Sequence, residues 1–164
     1  MNRLRIGSIP LTALQSYSGK GLVYVVLDTC DAPEVSAKIQ EITDRSACLF
    51  RGPINQDLLT VAPFLVSVDE DLLNWLIATV WRQPWGIFVL SPSGFKIIHR
   101  HLRKFLVVKS PDGEPWYFRY YDPRVIPTFL STSSSQELEE FFGPVTSYAF
   151  IDKQGNLQIA ELSP

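Results

Sequence analysis

The chain has 164 residues, of which 46% are hydrophobic and 20% charged, and its formal net charge is −2. This length and composition suit one globular domain and exclude an intrinsically disordered chain. The slightly acidic balance argues against a general binder of nucleic acid or of anionic membranes, and no apolar run approaches the roughly 20 residues of a membrane span. The first residues lack the basic, apolar and small-residue order of a secretory signal, so we expect a cytoplasmic protein without membrane insertion.

Short apolar runs alternate with helical patterns in the first half of the chain. Residues 10–17 are compatible with a short helix, and residues 18–21 are typical of a turn. Strands are predicted at residues 22–27, 47–50 and 61–68, with Pro63 demoting the start of the third to an edge or a bulge. Helices are predicted at residues 32–43 and from Asp69 onward, where Asp69 can cap the first turn.

The second half continues the same alternation and closes on a hairpin. A buried strand is predicted at residues 85–90, with Trp85 covered and Gly86 allowing close backbone approach. A helix to about Lys104 follows, and then a hairpin of residues 105–109 and 116–121. Short helices at residues 123–130 and 135–142 precede a terminal hairpin at residues 145–151 and 157–161. These elements predict a single α/β domain, a mixed β-sheet flanked by helices with a C-terminal hairpin.

The segment from Trp116 to Arg124 has the most unusual composition, because five of its nine residues are aromatic. Strand alternation predicts one wholly aromatic, core-facing side made of Trp116, Phe118 and Tyr120. Tyr117, Arg119 and Tyr121 would then occupy the other side. We expect Asp122 to pair with an arginine, Arg124 or Arg119, and Pro123 to start the next helix in its first turn.

Few residues form a pattern that indicates catalysis or cofactor binding. Cys30 and Cys48 lie in apolar segments and are interpreted as reduced core thiols, with a disulfide as the alternative. His99 and His101 stand two apart on a predicted helix, so they point in different directions and do not share a metal. No glycine-rich loop follows a predicted strand. No cofactor is therefore predicted.

Two further patterns leave a choice of function. Asp28 and Asp122 each end a predicted strand, where carboxylates can gather a Mg²⁺ ion, so a metal-dependent hydrolase is one hypothesis. In the simpler interpretation, Asp28 caps a loop and Asp122 forms an ion pair or accepts from a backbone amide. The basic run at residues 99–104 suits the negative end of a helix dipole, and a protein contact and a nucleic-acid contact are the alternative interpretations. On chemistry alone, a binding protein is the favoured class.

An ordered set of segments resembles the type VI secretion effector adaptor (chaperone) domain of bacteria, a family long described as a domain of unknown function. The matching segments include Leu27-Asp28, Cys48-Leu49-Phe50-Arg51-Gly52, Ala62-Pro63-Phe64-Leu65-Val66, Trp85-Gly86-Ile87-Phe88, His101-Leu102-Arg103-Lys104, Tyr117-Phe118-Arg119-Tyr120-Tyr121-Asp122-Pro123-Arg124-Val125 and Phe141-Phe142-Gly143-Pro144-Val145. The resemblance covers about residues 22–162 and leaves residues 1–21 as an N-terminal segment. The whole chain, residues 1–164, is thus interpreted as one effector-adaptor domain.

The resemblance implies a non-catalytic adaptor that binds a secreted toxin effector in the cytoplasm. Such an adaptor helps to load the effector onto a spike protein of the VgrG or PAAR type. Adaptors need aromatic and arginine anchors. The candidate protein contacts are the exposed members of a set at predicted strand ends and a helix end, namely Arg51, Arg103, Tyr117, Tyr121 and Arg124. A structural role is predicted for Trp85, Gly86, Arg119, Asp122 and Pro123.

Overall fold

The structure is a computed structural model that describes residues 2–164. Its strands are β1 (Arg3–Ser8), β2 (Val23–Asp28), β3 (Ser46–Cys48), β4 (Pro63–Ser67), β5 (Gly86–Leu90), β6 (Val107–Lys109), β7 (Pro115–Tyr117), β8 (Ser147–Ile151) and β9 (Leu157–Ser163). Its α-helices are α1 (Leu11–Gly19), α2 (Pro33–Glu41), α3 (Gln56–Leu59), α4 (Glu70–Trp75), α5 (Phe95–Arg103), α6 (Ile126–Thr132) and α7 (Ser135–Phe142). A 3₁₀ turn at Thr43–Arg45 precedes β3, and a π-helical segment at Leu76–Val80 extends α4.

Within residues 2–164, a seven-stranded sheet has the order β1-β9-β8-β5-β2-β4-β3, and β6 pairs separately with β7. The α/β class, the flanking helices and the C-terminal hairpin β8–β9 are therefore confirmed. The sheet itself differs from the mixed sheet expected, since every strand pair in the described residues is antiparallel. Strand direction depends on how connections return to the sheet, which apolar runs alone do not encode.

Both faces of the sheet are covered, so its central strands are buried along their whole length. Every residue of β2, β5 and β8 is buried. Alternate residues of β2 enter different cores: Tyr24 and Val26 belong to one cluster, whereas Val25 and Leu27 belong to the other. The first cluster includes side chains from α5, α6 and α7, and the second includes side chains from α1, α2 and α4. This two-sided burial explains the continuous apolar strands in the sequence.

The predicted aromatic strand is wrong beyond Tyr117. β7 ends there, although the backbone N–H of Phe118 still donates to the carbonyl of Leu106 at 2.7 Å, and the chain turns at residues 119–122, where the N–H of Asp122 donates to the carbonyl of Arg119 at 3.0 Å. Trp116 is 57% exposed instead of facing the core. Tyr120 and Tyr121 are both buried, although alternation assigned them to opposite sides. Alternation holds only while the chain continues as a strand, and the two hydrogen-bonded strands of this hairpin are three residues long.

Several boundaries also differ from the sequence prediction. α6 begins at Ile126 and not at Pro123, because residues 123–125 form a turn in which Val125 and Ile126 donate their backbone N–H groups to the carbonyl of Asp122. Pro127 occupies the helix start instead. β1 and α3 were not predicted; β1 is a largely exposed edge strand, so it lacks a buried apolar pattern.

The predictions for Trp85 and Gly86 agree with the structure. Trp85 is 2% exposed, and its indole N–H donates to the carbonyl of Trp81 at 3.3 Å. Gly86 has φ of +148°, and a β-carbon placed there would lie 1.8 Å from the carbonyl oxygen of Val26. The start of β5 therefore requires glycine for its backbone conformation and for its contact with β2.

We expect Gly86→Ala to lower the free energy of unfolding by about 3 kcal/mol or more, or to prevent folding, because the added methyl meets backbone atoms that cannot rotate away. Gly7→Ala is the matched control, since a β-carbon at that position meets no atom within 4 Å. Urea titration followed by circular dichroism measures both. Equal midpoints for the two variants would contradict the close approach.

Candidate functional site

A shallow basic groove lies where the C-terminal end of α5 meets the loop after β3 and the hairpin β6–β7. The groove consists of two hollows, of about 420 Å³ and about 300 Å³. The larger hollow is lined by Phe50, Arg51, Leu58, Arg103, Lys104, Leu106, Val107 and Tyr117. The smaller hollow shares Arg51 and Arg103 and adds Phe95, Lys96, His99 and Arg100.

Helix α5 is amphipathic, and this property presents the cations to the groove. Ile98 and Leu102 are buried in the core, whereas Lys96 and Arg100 are exposed. The Nε2 atom of His99 donates to the carbonyl of Cys48 at 2.8 Å, which anchors the helix to β3. The basic groove therefore has one wall on a helix that is fixed by its own core contacts.

The groove carries positive charge that the protein does not neutralise. Its five cations are Arg51, Lys96, Arg100, Arg103 and Lys104. Among residues 2–164, none of them has a carboxylate oxygen within 4.0 Å, and the ion pairs found there join other residues. Three of the five also lie near the negative end of the α5 dipole. The basic groove is thus a positive region on a chain whose net charge is −2.

Aromatic and aliphatic side chains of the hairpin lie beside these cations. Val107 is paired with Tyr117 and Val108 with Trp116, so the hairpin presents an apolar pair on each of its two sides. The ring of Tyr117 packs against Phe50 with centroids 5.1 Å apart, yet Tyr117 remains 61% exposed. Exposed apolar pairs on both sides of one short hairpin form a surface typical of protein contacts.

A second group of charged residues, the aspartate–arginine cluster, lies at the end of β2. The Arg119 guanidinium pairs with Asp28, whose other carboxylate oxygen accepts from the backbone N–H of Cys30 at 3.0 Å. Asp122 accepts from Nε and Nη2 of Arg124 at 2.9 and 2.7 Å and from its backbone N–H at 2.8 Å. The predicted arginine pairing of Asp122 is therefore confirmed, with Arg124 as the partner.

The pKa values of the two carboxylates in this cluster are shifted in opposite directions. Burial raises the pKa of Asp28, although the Cys30 amide and Arg119 partly offset it. Burial acts the same way on Asp122, but the hydrogen bonds from Arg124 outweigh it and the pKa of Asp122 falls below its usual value. Each carboxylate of the hydrolase hypothesis is thus already bound to an arginine. Within residues 2–164, no three His, Cys, Asp or Glu side chains lie close enough to share a metal ion.

The structure brings together three of the five predicted contact residues. Arg51, Arg103 and Tyr117 line the larger hollow of the basic groove. Tyr121 is buried and packs against Tyr120, and burial raises its pKa, so it is not an exposed anchor. Arg124 is exposed but belongs to the aspartate–arginine cluster. The sequence prediction did not include the other exposed residues of the hairpin, Val107, Val108 and Trp116. The turn at Pro111-Asp112-Gly113 is the signal that indicates them, because it limits the two strands to a short, exposed ribbon.

The remaining candidate side chains of the sequence, Cys30, Cys48 and His101, do not line the basic groove. Cys30 and Cys48 are free thiols, each partly exposed. His101 is buried with Nε2 donating to the carbonyl of Phe141 at 2.7 Å, and burial lowers its pKa. No helix in residues 2–164 combines the length and the apolar character needed to cross a membrane.

We expect Asp122→Asn to lower the free energy of unfolding, and to lower it most at neutral pH. The folded-state pKa of Asp122 is depressed, so its contribution to stability is present above the unfolded value of 3.8 and is lost as the pH falls through the folded pKa. We expect the variant to lose about 1–2 kcal/mol at pH 7 and progressively less below pH 4. Thermal unfolding of both proteins from pH 7 to pH 3 measures this difference.

Asp44→Asn is the control for this titration, because Asp44 is exposed and forms no ion pair in the described residues. A stability difference between wild type and Asp122→Asn that is the same at pH 7 and pH 3 would refute the ion pair's contribution.

Comparison with known protein families identifies a family to which the chain is similar. A family model described as Domain of unknown function (DUF4123) matches residues 23–140, more than half of the chain. The match contains the basic groove and the aspartate–arginine cluster, whereas β1, β8 and β9 of the same sheet lie outside it. No curated protein and no solved structure matches significantly.

Proposed function

Because the chain belongs to the family described as Domain of unknown function (DUF4123), which assigns no activity, we propose a function from its surface: it is a non-catalytic adaptor that binds another protein through the basic groove. In this proposal the partner is a type VI secretion effector, and the complex helps to load it onto a VgrG- or PAAR-type spike protein in the cytoplasm. The observation that carries the binding role is the proximity of an exposed aromatic hairpin to five cations that form no ion pair within residues 2–164.

The residue types of the groove support protein binding. Energetically dominant positions in protein interfaces are enriched in tryptophan, tyrosine and arginine. Arg103 and Tyr117 line the groove, and Trp116 is exposed on the other side of the same hairpin. Tyr117 is also held in place by its packing against Phe50. Anchors that are fixed before binding lose less conformational entropy when the partner arrives, so this surface is suited to a specific complex.

The secretion part of the proposal has a different basis. It rests on the ordered resemblance of residues 22–162 to effector adaptor domains, in which the segment from Tyr117 to Val125 is the strongest portion. In the structure that segment joins the exposed hairpin to the aspartate–arginine cluster. The same residues thus carry the resemblance and position one wall of the groove.

The hydrolase alternative is less well supported. A cation bound by Asp28 and Asp122 would have to displace Arg119 and Arg124 from them, and burial already disfavours the ionised form of Asp28. An arginine next to each carboxylate also opposes a divalent cation by charge repulsion. The aspartate–arginine cluster is better explained as the device that fixes the chain after the hairpin.

The adaptor proposal predicts a stoichiometric complex that depends on the hairpin. Co-expression with effector and spike genes of the same genome, followed by affinity purification, should recover the effector with the wild-type chain. The double variant Trp116→Ala, Tyr117→Ala should bind at least about tenfold more weakly, because it removes two interface anchors. Its melting temperature should change little, since both side chains are mostly exposed.

Tyr17→Ala is the matched control, because Tyr17 is also an exposed aromatic residue but lies on α1. It should bind the effector as wild type does. If neither the toxin nor the spike protein co-purifies with the wild-type chain, or if every effector is secreted normally by a strain lacking it, the adaptor proposal is wrong.

A further inference from the structure

We propose that the basic groove recognises an acidic segment of the partner protein, in which aspartate or glutamate residues flank a large apolar side chain. This inference rests on the proposed adaptor function and names the chemistry of the segment that the groove receives. Three features of the groove carry it: uncompensated charge, unused hydrogen-bond donors and an adjoining apolar wall.

The first feature is the charge. Five cations line two adjoining hollows that share Arg51 and Arg103, so their electrostatic fields add at the groove. The nearest acids along the chain, Asp57 on α3 and Asp112 in the hairpin turn, are not within 4.0 Å of any of the five among the described residues. Carboxylates brought by a partner would therefore meet cations that have no internal counterion.

The second feature is Arg103, at the centre of the groove. Its Nε atom is buried and has no hydrogen-bond acceptor among the residues described. Its one hydrogen bond there is a long contact of 3.5 Å from Nη2 to the carbonyl of Phe50. A guanidinium presents five N–H donors in a planar fork that matches a carboxylate. Nε itself is out of a ligand's reach, but Arg103 as a whole is only partly buried, so its terminal N–H groups retain donor capacity that an incoming carboxylate can use.

The third feature is the apolar wall beside the cations. Leu58, Leu106, Val107 and Tyr117 line the larger hollow together with Arg51, Arg103 and Lys104. Its volume of about 420 Å³ lies within the range of pockets that enclose drug-sized ligands, so one large side chain fits. A purely acidic peptide would leave this wall uncovered, which is why the proposed segment includes an apolar residue.

The charge of the remaining surface favours a short acidic peptide over a nucleic acid. Outside the five groove cations, ten Lys and Arg residues stand against 17 Asp and Glu residues, a balance of −7. A long polyanion crossing the surface beyond the groove would encounter this negative field. A segment confined to the groove would not.

The test uses the full chain and three rhodamine-labelled synthetic peptides of twelve residues. The first combines Asp and Glu with Leu and one Trp, the second replaces every acid by Asn or Gln, and the third keeps the acids but replaces Leu and Trp by Ser. Fluorescence anisotropy at 0.1 M salt should show the first binding at least about tenfold tighter than either of the others. Its advantage over the amide peptide should shrink at 1 M salt, where the Debye length is about 3 Å.

Charge-reversal variants locate the binding site. Arg51→Glu and Arg100→Glu are exposed changes and should each weaken binding of the acidic peptide at least fivefold, whereas Arg51→Lys should retain most of it. Lys153→Glu alters the net charge equally at an exposed position outside the groove and should have no effect. Equal affinities for the acidic and amide peptides would overturn the inference. It would also be overturned if the chain bound an oligothymidylate of fifteen nucleotides more tightly than the acidic peptide.

The same variants separate this inference from the adaptor proposal. Suppose that the chain binds the three peptides equally, that the natural effector still co-purifies with the wild-type chain, and that the double variant Trp116→Ala, Tyr117→Ala no longer recovers it. The chain is then an adaptor, and the inference that it recognises an acidic segment is wrong. If Arg51→Glu and Arg100→Glu also release the natural effector, the acidic segment is supported in the physiological complex.

Discussion

The ion pair between Asp28 and Arg119 fixes the geometry on which the candidate surface depends. Asp28 ends the central strand β2 and is 2% exposed, so its position is set by the core of the sheet. Arg119 follows the hairpin β6–β7 by two residues. Their contact therefore ties the exit of an exposed hairpin to a central strand that is buried along its whole length. An ion pair with one buried partner is costly to break, because the remaining charge is left without a counterion.

Two hydrogen bonds extend this constraint from the sheet to α5. The Phe118 N–H donates to the carbonyl of Leu106, and the buried Tyr120 hydroxyl donates to the carbonyl of Leu102 at 3.0 Å. The chain after the hairpin is thus attached to the end of α5 and to the segment that leads into β6. Because Arg103 and Lys104 occupy that same helix end, the cations and the hairpin aromatics hold a fixed relation. The basic groove follows from core contacts made behind it.

The sequence was sufficient for elements with a strong local signal. The apolar run of β5, the periodicity of α5 and the Gln154-Gly155-Asn156 turn between β8 and β9 each determine one element without reference to the rest. The sequence was insufficient where a long-range contact decides the conformation. Tyr120 and Tyr121 are both buried because the chain turns between Arg119 and Asp122, where Arg119 pairs with the distant Asp28 carboxylate. Likewise, β1 is an edge strand that is recognisable only once β9 is in place.

The candidate site was predictable only in part, because long-range contacts bring its residues together. Arg51, Arg103 and Tyr117 come from three separate segments, and their convergence depends on the contact of His99 with Cys48 and of Phe50 with Tyr117. Residue type and position at element ends were enough to select them individually, but not to separate them from Tyr121. The hydroxyl-bearing ring of Tyr121 looks equally suited to a partner in the sequence, yet it serves the core.

The separation of the two groups of arginines explains how one surface can be both stable and receptive. Arg119 and Arg124 are neutralised by Asp28 and Asp122, so they contribute to the folded structure and offer little charge to a partner. Arg51, Arg100 and Arg103 have no such carboxylates among the described residues and remain available. Because the paired arginines hold the hairpin in position, the proposed complex would not require the groove to rearrange. The cost of forming that complex would then be mainly the ordering of the partner's own segment.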